Sequence, residues 1–370
     1  MPTFTAQAHL SRTPGHRLTN LRLVAAIHLA LCCAPASAQM IPQREFCGIG
    51  RPIPITVHRI VGRVEEPGVT PPLLAPPPAT TVPDPEKFEV EILRAATGEV
   101  IDRAATGPGE TDLVRLFPKL WEAPDRRAML AQLRIDGRRT GPPLILIPMF
   151  SPPPYAPRVD RAGFPMFPPP PASATDRAPA SFSGYRVETM RLLVLETSKG
   201  ELKFALRPDL APTTVWFFSR LVEGGLYTEV EFHKVASLTA GSSPDFVQGG
   251  DPTGTGLGGA GFLIDLEDSP LRHDFGVISL ARASDPNSAS SQFFISLGGA
   301  GAATLDGKYA AFGQIVSGAD ALRAIAATPV GPDNRPLQPP KILSARLVDA
   351  PPLGDGPPPQ RDPLADRPAR

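Results

Sequence analysis

Short runs of alternating apolar and polar residues dominate the second half of the chain. One run covers residues 193–197 and another covers residues 202–206, and Ser198-Lys199-Gly200 between them suits a turn. Because successive side chains of a strand point to opposite faces, this pattern predicts a β-hairpin. Further strand-like runs follow it, at Val230–Val235, Phe246-Val247, Val277–Ala281, Phe293–Ile295, Ala311–Ile315 and Ile342–Val348.

Two segments in the same region have helical spacing instead. Pro212 suits the first turn of a helix, and the apolar positions after it recur three or four residues apart as far as Gly224-Gly225. A second helix is predicted over Ala319–Ala327. Two helices among many short strands and glycine-rich turns indicate a mainly β fold, a small antiparallel barrel with helical covers.

A second, smaller β-rich module is predicted over residues 88–150. Phe88, Val90 and Ile92 alternate with charged residues, and Asp136-Gly137 is a strong hairpin signal before the apolar run Leu144–Ile147. We find no motif in this module that carries chemistry, and its role is unknown. The preceding residues, 39–87, are interpreted as an irregular and proline-rich segment.

Proline marks the boundaries between these regions. The chain has 48 prolines in 370 residues, against about 5% in an average protein, and they cluster rather than spread evenly. The clusters predict a semi-rigid linker over residues 151–189 and a disordered proline-rich tail over residues 349–370. The barrel domain then covers residues 190–348.

The first 38 residues have the features of an export signal. Three arginines precede the apolar run Leu23–Cys33, and Ala36-Ser37-Ala38 offers a cleavage site between small residues. We therefore expect a signal peptide over residues 1–38 and a periplasmic or otherwise extracytoplasmic protein; a retained membrane anchor is the alternative. No other stretch reaches the ~18 apolar residues that a membrane-spanning helix needs, so no stable span is expected after cleavage.

Composition narrows the possible partners and cofactors. The formal net charge is zero, which gives no basis for binding nucleic acid. Cleavage after Ala38 leaves Cys47 as the sole cysteine, and the histidines that remain have none of the close pairings of a zinc site. The Gly254-x-Gly256-x-x-Gly259 pattern is followed by a strand-like run rather than the helix that a dinucleotide fingerprint requires. We predict no metal and no cofactor, and the oligomeric state stays open.

Four short blocks in a fixed order carry the most specific signal. They are Phe-His-Lys-Val at 232–235, Gln-Gly-Gly-Asp at 248–251, Ser-Gln-Phe-Phe-Ile at 291–295 and Leu-Asp-Gly-Lys-Tyr at 305–309. Together they resemble the cyclophilins, peptidyl-prolyl cis/trans isomerases (rotamases) that assist protein folding. The resemblance implies a closed eight-stranded antiparallel β-barrel with two capping helices, and X-Pro segments of polypeptides as substrates.

The resemblance also implies a role for individual residues. Catalytic roles fall on Lys234, Gln248 and Gln292. Substrate-binding roles fall on Phe246, Ala281, Arg282, Phe294, Leu305 and Tyr309. His233, next to the catalytic position, is interpreted as structural.

Lys234 departs from the family pattern, since the cyclophilins place an arginine there. Lysine keeps the charge but lacks the planar fork of arginine. Weakened catalysis is therefore expected. The leading hypothesis is an isomerase that assists the folding of exported proteins by non-covalent stabilisation of the twisted X-Pro amide. The alternative is a module that binds proline-containing segments with weak or no turnover.

Overall fold

The computed structural model describes residues 37–60, 86–122, 127–150, 158–159, 165–166, 181–238 and 242–362. The predicted signal peptide lies outside these residues up to position 36, as do most of the residues in the proline clusters. Within the described part, no helix is both long and apolar enough to cross a membrane.

Two larger sheets and one two-stranded pair make up the described part of the N-terminal half. In chain order, its elements are β1 Ser37–Pro42, β2 Phe46–Gly48, β3 Pro54–Ile60, β4 Phe88–Arg94, β5 Val100–Thr106, β6 Gly109–Asp112, α1 Leu113–Leu116, a 3-10 turn Pro118–Trp121, β7 Met129–Ile135, β8 Arg138–Arg139, β9 Leu144–Phe150, β10 Arg158–Val159, β11 Pro165–Met166 and β12 Phe182–Thr189. The order β1-β3-β6 makes one sheet, and the order β2-β12-β9-β7-β4-β5 makes the other, with β8 paired to β7. β10 and β11 pair only with each other.

One apolar core is shared by these two sheets. Met40 and Ile55 from the smaller sheet pack with Val90, Leu133 and Tyr185 from the larger. The Tyr185 hydroxyl is also satisfied, because it donates to the carbonyl of Leu120 at 3.0 Å. The β-rich prediction for residues 88–150 matches the strands that are seen, but three of the module's strands lie in the segment that was expected to be irregular.

β12 corrects the predicted linker. It pairs with β9 along its length and with β2, so residues 182–189 belong to the sheet. Gly184 interrupts the apolar–polar alternation of this strand in the sequence. It has a φ of 138°, and a Cβ there would lie 2.1 Å from the carbonyl oxygen of Cys47. Only glycine allows β2 to approach so closely.

The C-terminal half contains the remaining elements. They are β13 Arg191–Thr197, β14 Gly200–Leu206, α2 Pro212–Glu223, β15 Val230–Glu231, β16 Lys234–Ala236, β17 Phe246–Gly249, β18 Val277–Leu280, β19 Phe293–Ser296, α3 Gly299–Ala303, β20 Ala311–Ser317, α4 Ala319–Ala326 and β21 Lys341–Asp349. The predicted hairpin is β13–β14, and the two predicted helices are α2 and α4. α3 was not predicted, because its five residues are all glycine or alanine and have no apolar periodicity.

A single antiparallel sheet of nine strands runs in the order β15-β21-β13-β14-β20-β18-β19-β17-β16. The mainly β fold is confirmed, but the closed eight-stranded barrel is not. The sheet curls into a half-barrel, and its end strands β15 and β16 do not pair with each other. Phe232 between them donates its N–H to Pro340 and Val235 in β16 donates to Asn334, so these amides bond to the chain before β21 and do not close the sheet.

The described part of the tail is ordered, contrary to prediction. The N–H of Leu353 donates to Gln132 Oε1 at 2.9 Å, and its side chain packs against a second apolar cluster of the N-terminal sheet. Further on, the N–H of Gln360 donates to the carbonyl of Ile315, and Arg323 Nε donates to Asp362 Oδ1 at 2.7 Å. The tail therefore contacts both halves of the protein.

Candidate active site

A small apolar cluster on the outer side of the curled sheet gathers most of the predicted substrate-binding residues. Its members are Ala236, Phe246, Ala281, Phe294 and Leu305, with Tyr309 packed against them. Phe294 lies edge-on to Phe246 at 5.7 Å and to Tyr309 at 5.2 Å between ring centroids. The preceding residue, Phe293, belongs to the main core instead, because neighbouring side chains of a strand point to opposite faces.

Lys234 lies beside this apolar cluster. It is the register partner of Gln248 across β16 and β17, and Gln248 is in turn the partner of Phe294 across β17 and β19. Paired residues of antiparallel strands project to the same face. The Lys234 ammonium lies 5.9 Å from the ring centroid of Phe246. Among the described residues, it has no hydrogen bond or ion pair.

The two predicted glutamines contact each other directly. Gln248 Nε2 donates to Gln292 Oε1 at 2.9 Å. Gln292 Nε2 donates to the carbonyls of Gly256 at 3.0 Å and Gly258 at 2.8 Å. These bonds fix the orientation of both amides. All three predicted catalytic residues are therefore brought to one place, next to the predicted proline pocket.

Asp251 organises the loop that supplies those two carbonyls. Its buried carboxylate accepts from the N–H groups of Thr253, Gly256 and Gly258 and from the Thr253 hydroxyl. Burial alone disfavours the charged form, but these hydrogen bonds outweigh it and lower the pKa of Asp251 to about 2. No helix follows the loop among residues 259–276, so the dinucleotide pattern lacks the structural context that it needs.

Arg282 forms one rim of the site. Its guanidinium lies 4.6 Å from the ring centroid of Tyr309 and donates to the carbonyls of Lys308 and Ala283. Arg282 and Ala281, together with Gln248 and Gln292, also line an adjoining cleft of about 450 Å³. The cleft extends the site in the direction of the glycine-rich loop.

One group of polar residues beneath the pocket was not predicted. His273 Nδ1 lies 2.9 Å from Asp306 Oδ1, and its Nε2 lies 2.8 Å from Ser279 Oγ. The ring of His273 also stacks on Phe294 at 5.6 Å. This is the order of groups in a serine hydrolase, but Ser279 is fully buried and no substrate carbonyl can reach it. The group therefore supports the floor of the pocket.

Both buried histidines of this region favour the neutral form. Burial lowers the pKa of His273 although Asp306 opposes the effect, and burial likewise lowers the pKa of His233. His233 is 5% exposed.

Known proteins match the same half of the chain. The family model for cyclophilin type peptidyl-prolyl cis-trans isomerase/CLD matches residues 192–347. The isomerase ppi1 of Schizosaccharomyces pombe is 40% identical over 157 residues, which span 41% of this chain and 95% of the relative. A putative peptidyl-prolyl cis-trans isomerase of Staphylococcus saprophyticus is 36% identical over 188 residues, which span 42% of this chain and 91% of the relative.

A solved structure shows a similar match. The cyclophilin type isomerase of Cryptosporidium parvum, crystallised in the presence of the dipeptide Ala-Pro, is 32% identical and aligns with 43% of this chain and 99% of its own, at a TM-score of 0.39. The sequence relatives place this chain among the cyclophilin-type peptidyl-prolyl cis-trans isomerases, a family of enzymes.

Proposed function

We propose that this isomerase acts on X-Pro bonds of exported proteins during folding, with Lys234 as the donor to the prolyl nitrogen. The observation that carries the proposal is the placement of Lys234 beside the apolar cluster of Phe246 and Phe294, on the face that also presents Gln248. An apolar pocket and a cation at its edge are the two parts that the reaction needs.

The reaction requires no covalent bond to be made. Amide resonance sets a rotation barrier of ~18–20 kcal/mol, and the twisted amide that crosses it has a pyramidal prolyl nitrogen with a lone pair. In the proposed mechanism, Phe294, Phe246 and Leu305 hold the proline ring while the Lys234 ammonium donates to that lone pair. The donor then binds the twisted state more tightly than either planar state, which is the condition for catalysis.

The glutamine pair supports the substrate in this mechanism. Gln292 is held by two loop carbonyls, and Gln248 is held by Gln292. Their fixed amides present polar groups to the backbone around the proline. Arg282 and Ala281 face the residues that precede it.

The lysine at position 234, in place of an arginine, also favours a second candidate function. In that function the domain binds proline-containing segments with weak or no turnover. An arginine fork can bond the prolyl nitrogen and a neighbouring glutamine together, whereas a lysine is a point donor on a flexible stem. The Lys234 ammonium has no partner among the described residues that would hold it in place. Loss of an oriented donor costs about 2–4 kcal/mol of transition-state stabilisation in other enzymes.

The export part of the proposal is based on the N-terminal sequence. Three arginines, an apolar run and Ala36-Ser37-Ala38 support a cleaved signal. Cleavage after Ala38 would remove the first two residues of β1 and leave Gln39–Pro42 paired with β3. The mass of the mature N-terminus and fractionation of the producing cell test this part. An intact N-terminus in the cytoplasmic fraction would contradict it.

The pocket is tested by Phe294→Leu, with the exposed Phe46→Leu as the matched control. We expect a lower kcat/KM for an X-Pro peptide in the first variant only, because Phe294 contacts the proline ring in the proposed mechanism and Phe46 does not. Equal activity of Phe294→Leu and the parent protein would contradict the assignment of the pocket.

A further inference from the structure

A loop between α4 and β21 reaches back to the active site. Val330 and Pro336 form an antiparallel bridge at its base, and Asn334 near its tip has a left-handed φ of 63°. The carbonyl of Asn334 accepts from the N–H of Val235 at 2.9 Å. The loop is therefore attached to β16 at the residue next to Lys234.

Arg335, the next residue of this loop, joins two further segments. Its Nη2 forms an ion pair of 2.8 Å with Glu231 Oε2 in β15. Its Nη1 donates to the carbonyl of Gly254, at the start of the glycine-rich loop. Gly254 has a φ of 68°, and a Cβ there would lie 3.3 Å from Glu231 Oε2. The left-handed φ favours glycine at this position, and a side chain there would also crowd the carboxylate of Glu231.

The glycine-rich loop continues the path to the catalytic amides. The N–H of Gly254 donates to the carbonyl of Asp251, whose side chain holds the loop up to Gly258. The carbonyls of Gly256 and Gly258 then orient Gln292, and Gln292 orients Gln248. Arg335 is therefore connected to Lys234 from two sides, through β16 and through the glutamine pair.

We propose that Arg335 is a positioning residue for isomerisation. It holds the glycine-rich loop against β15 while its own loop holds β16, and so it sets the geometry between Lys234 and the glutamine pair without touching the substrate. The inference rests on the proposed function of Lys234. Positioning by Arg335 matters more for a lysine donor than for an arginine donor, because the Lys234 ammonium has no partner of its own among the described residues.

Arg335→Ala is the test, and Arg346→Ala is the matched control. Arg346 is likewise a partly exposed arginine in ion pairs, with Glu196 at 3.4 Å and Glu201 at 3.3 Å, but it lies on β21 and, within the described part of the chain, has no hydrogen bond or ion pair with the glycine-rich loop. Both ion pairs are partly exposed, so each variant should lower the melting temperature by no more than about 3 °C. Glu231→Gln is a milder second variant, which weakens the ion pair between Arg335 and Glu231 by removing the charge of Glu231.

Two measurements decide the outcome. In NMR spectra of the full chain, the side-chain amide signals of Gln292 should shift or broaden in Arg335→Ala and stay unchanged in Arg346→Ala. The kcat/KM for an X-Pro peptide should fall about tenfold in Arg335→Ala and by less than about twofold when Lys234→Ala is already present, because residues that act together are not additive. Arg335→Lys should recover part of the loss, since it keeps the charge toward Glu231.

Unchanged Gln292 amide signals in Arg335→Ala would overturn the inference, and so would equal losses in the two backgrounds. Failure of the proposed function itself has a different signature. If the parent protein did not accelerate exchange, the donor role of Lys234 would fail while the amide signals would still report whether Arg335 holds the loop.

Discussion

Gln248 and Gln292 share a hydrogen bond of 2.9 Å from Nε2 of the first to Oε1 of the second. Because the amide nitrogen of Gln292 is already committed to two loop carbonyls, only its oxygen can face Gln248. The relationship fixes the direction in which each amide presents its donor and acceptor to a substrate.

Replacing Gln292 by leucine should remove the fixed orientation of the Gln248 amide. The substitution leaves the carbonyls of Gly256 and Gly258 and the amide of Gln248 without their partner. At about 1 kcal/mol net for each of these three hydrogen bonds, we expect kcat/KM for an X-Pro peptide to fall by up to roughly 150-fold. Gln314→Leu, on β20, is the control and should be close to the parent. Full activity of Gln292→Leu would show that the amide pair has no part in catalysis.

Asp251 should make the free energy of unfolding decrease at acidic pH. Its pKa is lowered to about 2 in the folded protein, against ~3.9 when unfolded. The carboxylate therefore contributes roughly 2–3 kcal/mol of stability above pH ~4, and this contribution is lost as the pH falls toward 2. Urea unfolding of the parent and Asp251→Asn should show a clear difference at pH 6 that shrinks at pH 3. A difference that is independent of pH would argue against this origin.

His273 should make the stability of the protein depend on pH in a higher range than Asp251 does. Its pKa is lowered by burial, so the folded protein favours the neutral ring, and the unfolded chain binds the proton first. Stability is then complete above the unfolded pKa of ~6.5 and falls as the pH drops below it. Between about pH 7 and about pH 5, the range around and below that unfolded pKa, the unfolding free energy of His273→Asn should change less with pH than that of the parent.

The exposed His58 provides the comparison for this experiment. His58→Asn makes the same substitution at a position outside both cores. If His273→Asn and the parent had the same slope, the buried ring would not be the group that titrates on unfolding.

Sequence patterns were sufficient where a segment is regular and buried on one face. The hairpin β13–β14 and helix α2 follow directly from their periodicity, and the four family blocks brought Lys234, Gln248 and Gln292 together as predicted. Within β19, Phe293 faces the main core and Phe294 faces the pocket, as the alternation of side chains along a strand requires.

The missed features depend on contacts between distant segments. The sequence predicts a linker where β12 lies, because Gly184 interrupts the strand pattern, although that glycine is needed for the approach of β2. His273, Ser279 and Asp306 form no motif in the sequence, because the tertiary fold brings Asp306 to the N–H and the ring of His273. The composition of the tail predicts disorder, yet Leu353 packs against an apolar cluster and Asp362 accepts a hydrogen bond from Arg323.

The central claim is that Lys234 is the donor to the prolyl nitrogen, and an exchange assay on an X-Pro peptide tests it most directly. The parent protein should accelerate cis/trans exchange above buffer, Lys234→Ala should lose at least about tenfold, and Lys234→Arg should be faster than the parent, because the arginine fork is a better-oriented donor. All three proteins should keep the same melting temperature within a few degrees. A parent protein indistinguishable from buffer, or a Lys234→Ala variant as active as the parent, would contradict the account.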